Sequence, residues 1–176
     1  MNNIETRIAS QLDENQVGFL INMINEVYRA SEDDIWIDEH QRITLERLLE
    51  IIELGELLLA FQNDKIYGCI HLEPITKSVY KFKMLAANPM FKGKGIGSIL
   101  VKYAEQQALS YGAATMQLEL LVPTEFTHPD KVFLHDWYTK IGYELKEEHG
   151  VDYVHEGISQ YLKVGCIAKV YQKNLS

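Results

Sequence analysis

The sequence predicts a mixed α/β domain with the element order βααβββαβαββ. Three observations carry that reading. Apolar residues recur at helical spacing in separate segments, with strand-like runs between them. Gly, Pro, Asn or Asp punctuates most of the boundaries. A glycine-rich segment, Lys92-Gly93-Lys94-Gly95-Ile96-Gly97-Ser98, lies where a strand gives way to a helix. The 176 residues are 47% hydrophobic and contain no repeat, low-complexity tract or Gly/Ser/Pro-rich linker, which fits one domain over residues 1–176.

Taken in order, Ile4 to Ala9 reads as a first strand and Val17 to Tyr28 as a helix, through Val17, Leu20, Ile21, Ile24 and Val27. An acidic loop, Ser31 to His40, follows. A second helix, Thr44 to Leu54, carries the stripe Leu45, Leu48, Leu49 and Ile52 and ends at Gly55. Leu57 to Phe61 and Ile66 to Glu73 form a hairpin through Asn63-Asp64. Val79 to Ala87 is the next strand, stopped by Asn88-Pro89. The helix from about Gly97 to Tyr111 buries Ile96, Ile99, Leu100, Tyr103 and Ala104, with Gly112 as its C-cap. Thr115 to Val122 is a strand. Pro129 opens a helix to Lys140 with the stripe Phe133, Trp137 and Ile141. Strands Tyr143–Glu148 and Cys166–Gln172 enclose an irregular insert.

Composition excludes several classes. A net charge of −8 argues against a non-specific nucleic-acid binder, which needs a basic face. The two cysteines, Cys69 and Cys166, form no CxxC and have no His cluster nearby, so no metal site is expected. Two free thiols, no apolar leader and no apolar run long enough for a membrane span make a cytoplasmic protein without membrane partners the expectation.

The glycine-rich turn concentrates chemistry. A helix N-terminus presents unpaired N–H groups to an anion, and the helix dipole adds favourable potential. Gly93, Gly95 and Gly97 let backbone approach a diphosphate, and Lys92 and Lys94 add cationic donors. By itself such a pattern serves equally well as a plain tight turn. It is not a P-loop, because Gly95 follows Lys94 where Ser or Thr is needed. It is a poor dinucleotide fingerprint, because Ser98 and Leu100 stand where the third glycine belongs and the turn follows a hairpin.

From Ala87 to Ser98 the sequence resembles the acyl-CoA-binding motif of the GNAT N-acetyltransferase superfamily: Arg or Gln, two residues, Gly, one residue, then Gly or Ala. Lys92, Gly95 and Gly97 hold those positions. Lysine keeps the charge there and loses the planar fork. Trp137-Tyr138-Thr139-Lys140-Ile141-Gly142-Tyr143 resembles the second GNAT pattern, Tyr, three residues, Gly and an aromatic. The resemblance runs from Ile4 to Gln172. It implies a mostly antiparallel mixed sheet flanked by helices, with acetyl-CoA as cosubstrate. Acetyl would pass directly to a primary amine of a small, cationic acceptor within a ternary complex.

The resemblance also implies roles. Leu85, Ala86 and Ala87 would hold the pantetheine arm through backbone N–H groups. Residues Lys92, Gly93, Lys94, Gly95, Ile96, Gly97 and Ser98 would hold the pyrophosphate. Tyr138 would face the sulfur and assist departure of the thiolate. A phenol titrates near 10 and a thiol near 8.5, so complete proton transfer is uphill by roughly two kcal/mol, and a hydrogen bond to sulfur satisfies the role. A core-edge tyrosine is the competing reading. Glu119, between Leu118 and Leu120, is the first choice for general base, with Glu73 or water as alternatives and a salt-bridged strand carboxylate as the plainer reading. Lys131 stands where many members carry Asn and is assigned to the cofactor phosphates, against a solvated lysine. Neither cysteine adjoins a base, so a covalent route is disfavoured.

The acidic, aromatic loop between the first two helices is expected to cover the acceptor, with the insert Val151 to Gly165 as the opposite wall. A homodimer is compatible with the family. A non-catalytic acyl-CoA-binding module and a protein N-acetyltransferase are the alternative functions.

Overall fold

The computed structural model describes residues 3–176. The elements come in the expected order: β1 (Glu5–Ile8), α1 (Glu14–Glu32), α2 (Leu45–Glu53), β2 (Leu57–Gln62), β3 (Lys65–Pro74), β4 (Val79–Ala87), α3 (Ile96–Ser110), β5 (Thr115–Pro123), α4 (Pro129–Lys140), β6 (Glu144–Gly150) and β7 (Cys166–Asn174). α1 is longer than its apolar stripe. Asp13 and Gln16 form a reciprocal capping box at its start, and its last turn takes in Ser31 and Glu32, assigned from sequence to the loop. Asn63 and Asp64 both take left-handed φ angles, 49° and 62°, which matches the right-handed twist of the β2–β3 hairpin.

The strands form one seven-stranded sheet in the order β1-β2-β3-β4-β5-β7-β6. All neighbours are antiparallel except β4 and β5. One face packs against α3 and α4 around Leu58, Ile70, Phe82, Leu100, Leu118 and Tyr143. The other packs against α1 and α2 around Leu20, Ile24, Leu48, Ile51, Leu57 and Met84.

Two expected helix stripes are rotated. In α2 the buried residues are Leu48 and Ile51, while Leu45 and Leu49 are exposed. In α4 Phe133 is 66% exposed and Tyr138 only 4%. Sequence periodicity read α4 by its largest apolar residues, whereas the packed face holds Tyr138 against Phe82 and Tyr143.

β4 contains the feature that positions the site. Its register against β3 shifts between the pairs Cys69–Ala86 and His71–Lys83, and Met84 takes a left-handed φ of 54°. This bulge reverses the alternation. Phe82 faces the α3 core, yet Met84 and Ala86 join the α1–α2 core while Leu85 and Ala87 turn toward α3. β4 also pairs with β5 only over Val79–Lys81, although both strands continue well beyond. The two strands therefore splay, and the β5-facing edge of residues 82–87 is left without a strand partner.

Candidate active site

The glycine turn leads from the open edge of β4 into α3. Gly95 is the N-cap residue with φ 72°, a conformation L side chains adopt at a cost, and Gly93 has φ 82°. The first backbone bond of α3 runs from the Ile99 amide to the Gly95 carbonyl at 3.0 Å, and no side chain caps the helix. The amides of Gly95, Ile96, Gly97 and Ser98 therefore have no intrahelical acceptor. Lys92 and Lys94 are exposed beside them, and neither forms an ion pair among the described residues. Uncapped amides, a helix dipole and two unpaired ammonium groups fit a diphosphate.

Gly97 brings the two sequence motifs together. A Cβ at Gly97 would lie 3.4 Å from the Trp137 ring and 3.9 Å from Leu85, so α4 rests against the first turn of α3 beside the open β4 edge. Gly68 on β3 plays a related part. A Cβ there would meet the Ala86 carbonyl at 2.7 Å and Ile96 at 2.9 Å, so only glycine lets α3 lie this close to the sheet.

Tyr138 is buried one residue past Trp137, and its hydroxyl takes part in none of the side-chain hydrogen bonds of the described residues. Burial, helped by the nearby Tyr28, pushes its phenol far above the ordinary value, so it stays protonated. Tyr28 reaches the same place from the opposite layer. Its hydroxyl donates to the Leu85 carbonyl at 3.3 Å, at the bulge of β4. The splay thus admits one tyrosine from α1 and one from α4.

Glu119 stands on β5 just past the last β4–β5 pair. Its carboxylate lies 3.4 Å from the Lys81 ammonium, with Gln117 at 3.5 Å. Lys81 also reaches Glu73 at 3.3 Å, and Lys83 reaches Glu73 at 3.0 Å. His71 follows at 2.8 Å from Glu56. Burial alone would raise the Glu73 pKa, but its hydrogen bond to Lys83 and the charges of Lys83 and Lys81 hold it below the usual range. Burial keeps His71 neutral, with a lowered pKa. Glu56, His71 and Glu73 bring one potential ligand atom each within 4.8 Å of one another. Two lysines already sit against Glu73, which belongs to an ion-pair network with Lys81 and Lys83.

The Acetyltransferase (GNAT) family profile matches residues 13–143. The chain belongs to that family. No curated protein matches the GNAT chain in sequence. Among solved structures, its fold is similar to that of the PaiA N-acetyltransferase from Thermoplasma acidophilum in complex with coenzyme A. The TM-score is 0.72 at 19% identity, over 98% of this chain and 99% of that one. It is also similar to N-acetylglutamate synthase from Neisseria gonorrhoeae, solved with coenzyme A and N-acetyl-glutamate (TM-score 0.66, 17% identity, 99% of this chain). The chain spans only 35% of that synthase's length. An aminoglycoside 6'-N-acetyltransferase complexed with coenzyme A aligns with TM-score 0.65 and 17% identity, over 95% and 96% of the two chains. At these identities the likeness is one of fold.

In this GNAT chain Lys131 is held by the opposite helix layer. Its ammonium is buried in an ion pair with Glu32, at the end of α1. It is therefore not the solvated lysine that is the plainer reading of the sequence. Glu32 also accepts from the Trp36 indole at 2.6 Å. Beside this pair His128 reaches Asp34 at 3.1 Å and Ser31 reaches Asp130 at 2.7 Å, so the end of α1 is tied to the start of α4.

Part of the acidic loop is paired within the chain. Glu32 is committed to Lys131, Asp34 to His128, and Asp38 to Lys163 at 2.7 Å. The insert lies along this loop and not opposite it: Trp36 bridges to Leu162, and the Ile37 amide donates to Tyr161 at 2.9 Å. A cavity of about 250 Å³ opens between α1 and the loop, with Tyr28 and Glu32 in its wall. A larger one, about 510 Å³, lies between β5, β7 and the outer face of α4, where neither the glycine turn nor Tyr138 lines it.

Both cysteines are free. Burial pushes the Cys69 thiol up to about 12 and Cys166 to about 11, which leaves neither as a ready nucleophile. Tyr28 was missed in the sequence reading because it ends a plausible apolar stripe. Its role depends on the bulge in β4, which no local sequence pattern announces.

Proposed function

We propose that the chain transfers the acetyl group of acetyl-CoA directly to a primary amine of a small acceptor, in a ternary complex. The observation that carries this is the run of uncapped amides at Gly95–Ser98, joined through the open β4 edge to a buried, unpartnered phenol at Tyr138. The coenzyme A in the solved structures of similar fold supports the same cosubstrate here.

Bound acetyl-CoA supplies a thioester carbon activated toward nucleophiles. In the proposed arrangement the amides of Gly95, Ile96, Gly97 and Ser98, with Lys92 and Lys94, hold the diphosphate. The unpaired edge from Leu85 through Ala86 to Ala87 lies along the pantetheine arm. Lys131, committed to Glu32, takes no part in that contact. The acceptor arrives as an ammonium and must lose one proton before attack, to Glu119 or to water. The nitrogen lone pair then forms the N–C bond, the C–S bond breaks, and the second amine proton leaves toward solvent or the departing sulfur. Because burial holds Tyr138 neutral, its part is a hydrogen bond to the sulfur as negative charge develops there.

Thiol release from acetyl-CoA against a panel of small amines tests the reading. Coenzyme A that raises the melting temperature without turnover on any amine or peptide would make the chain a binding module instead. Turnover on peptide N-termini alone would make it a protein acetyltransferase.

A further inference from the structure

We propose that the cavity between α1 and the α1–α2 loop selects an acceptor carrying a carboxylate beside its amine, read by Arg42. This deepens the acetyl-transfer reading and rests on it.

The argument is one of unbalanced charge. The cavity holds about 250 Å³ and is walled by Tyr28, Arg29, Glu32, Trp36, His40 and Arg42 together with loop residues. Two of its three acidic members are already paired, and Asp33 alone forms no ion pair among the described residues, against the two arginines of the wall. Glu32 is paired with Lys131 and bonded by Trp36. Asp38 is paired with Lys163, whose ammonium also takes the Asp33 carbonyl at 2.8 Å. Arg42 is different. It is half-buried and forms no ion pair among the described residues, and its guanidinium carbon stands 4.8 Å over the Tyr28 ring. Arg29, also in the wall, forms none either.

A guanidinium partly withdrawn from water favours an anion, and its planar fork matches a carboxylate in two parallel hydrogen bonds. A second ammonium on the acceptor would meet like charge there. The rest of the wall suits a neutral side chain. Trp36 and His40 stack with ring centroids 4.1 Å apart. Burial first, and then Arg42, lowers the His40 pKa, so that wall is uncharged at neutral pH.

Position connects this cavity to the chemistry. The ring under Arg42 belongs to Tyr28, and the hydroxyl at its far end donates to Leu85 at the open edge of β4. The cavity that holds Arg42 and the open edge of β4 therefore share Tyr28, one at its ring and the other at its hydroxyl.

Thiol release from acetyl-CoA is measured with free amino acids and with the same amino acids as carboxamides. The amide's amine is less basic and so more available at neutral pH, which makes a preference for the acid a property of the pocket. The expected result is a kcat/KM at least about tenfold higher for the acid on the best substrate. Arg42→Gln brings the ratio near one and leaves the acetyl-CoA KM unchanged; Arg42→Lys keeps part of the preference. Carboxamides used as well as acids, or a preference that survives Arg42→Gln, would overturn the proposal and leave acetyl transfer standing. A second measurement needs no turnover: N-acetyl amino acids, added with coenzyme A, raise the melting temperature of the wild type and not of Arg42→Gln. If no amine releases thiol, that Arg42-dependent shift still supports the anion site while acetyl transfer falls. Without the shift, the anion site falls as well.

Discussion

Lys131 on α4 and Glu32 on α1 form a buried ion pair, with the Trp36 indole as a third member on the same carboxylate. The pair ties the two helices on either side of the splay between β4 and β5. Removing one partner strands a buried charge, which costs about 3–5 kcal/mol where geometry permits no relief. Lys131→Met is therefore expected to lower the melting temperature sharply, and Glu32→Gln with Lys131→Met to recover most of the loss. Burial by itself would raise the Glu32 pKa, but Lys131 and Trp36 outweigh it and hold the carboxyl below its ordinary 4.5. A depressed folded pKa gives stability that is present above about pH 4.5 and lost as pH falls through the lower folded value. The double variant should show a shallower acid limb in thermal melts. An equal acid limb in both proteins would deny the pair this role.

Tyr138→Phe removes one oxygen from a packed ring and leaves the contacts with Phe82 and Tyr143. We expect kcat to fall at least about tenfold, the acetyl-CoA KM to change little, and the melting temperature to stay close to wild type. Since burial raises the phenol pKa, wild-type kcat should show no falling limb from Tyr138 up to about pH 10. An unchanged kcat in the Phe variant takes Tyr138 out of the mechanism.

The order of elements was legible because each helix and strand has its own period and its own stop signals. The glycine turn was legible because backbone geometry demands glycine at Gly95 and Gly93. Less local matters were not. Lys131 and Glu32 are 99 residues apart, so their pairing was invisible, and Lys131 read as a contact to the cofactor phosphates or a solvated cation. The bulge at Met84 has no Gly or Pro to mark it, yet it reverses which side chains face α1 and so gives Tyr28 its contact with Leu85. The pairing of the loop's carboxylates was hidden for the same reason. The partners, Lys163, His128 and Lys131, lie far along the chain.

Glu119 shares Lys81 with Glu73, so its carboxylate is held but not sealed. If it takes the acceptor proton, Glu119→Gln should lower kcat/KM by about tenfold or more at neutral pH, with partial recovery at high pH as the free amine becomes abundant. Glu73→Gln leaves Lys81 and Lys83 without their shared carboxylate and should act mainly on stability. A Glu119→Gln enzyme with full activity at every pH would assign the proton to water.

Gly95→Ala tests the turn itself. No atom lies within 4 Å of the added Cβ, so the cost is conformational, about 1 kcal/mol for a left-handed φ of 72°. That should lower the melting temperature by about 2–4 °C in a chain of this size. If the amides of Gly95–Ser98 bind the diphosphate, re-aiming them must also raise the acetyl-CoA KM severalfold while kcat at saturation is kept. The companion variant, Lys92→Ala with Lys94→Ala, changes charge and leaves φ alone. It should raise the KM at low salt, and the wild-type KM should climb toward it as salt increases, because exposed ammonium groups are screened within about 10 Å at 0.1 M salt. A KM indifferent to Gly95→Ala, to the lysine changes and to salt would mean that the turn only joins β4 to α3, and the diphosphate would have to be held elsewhere.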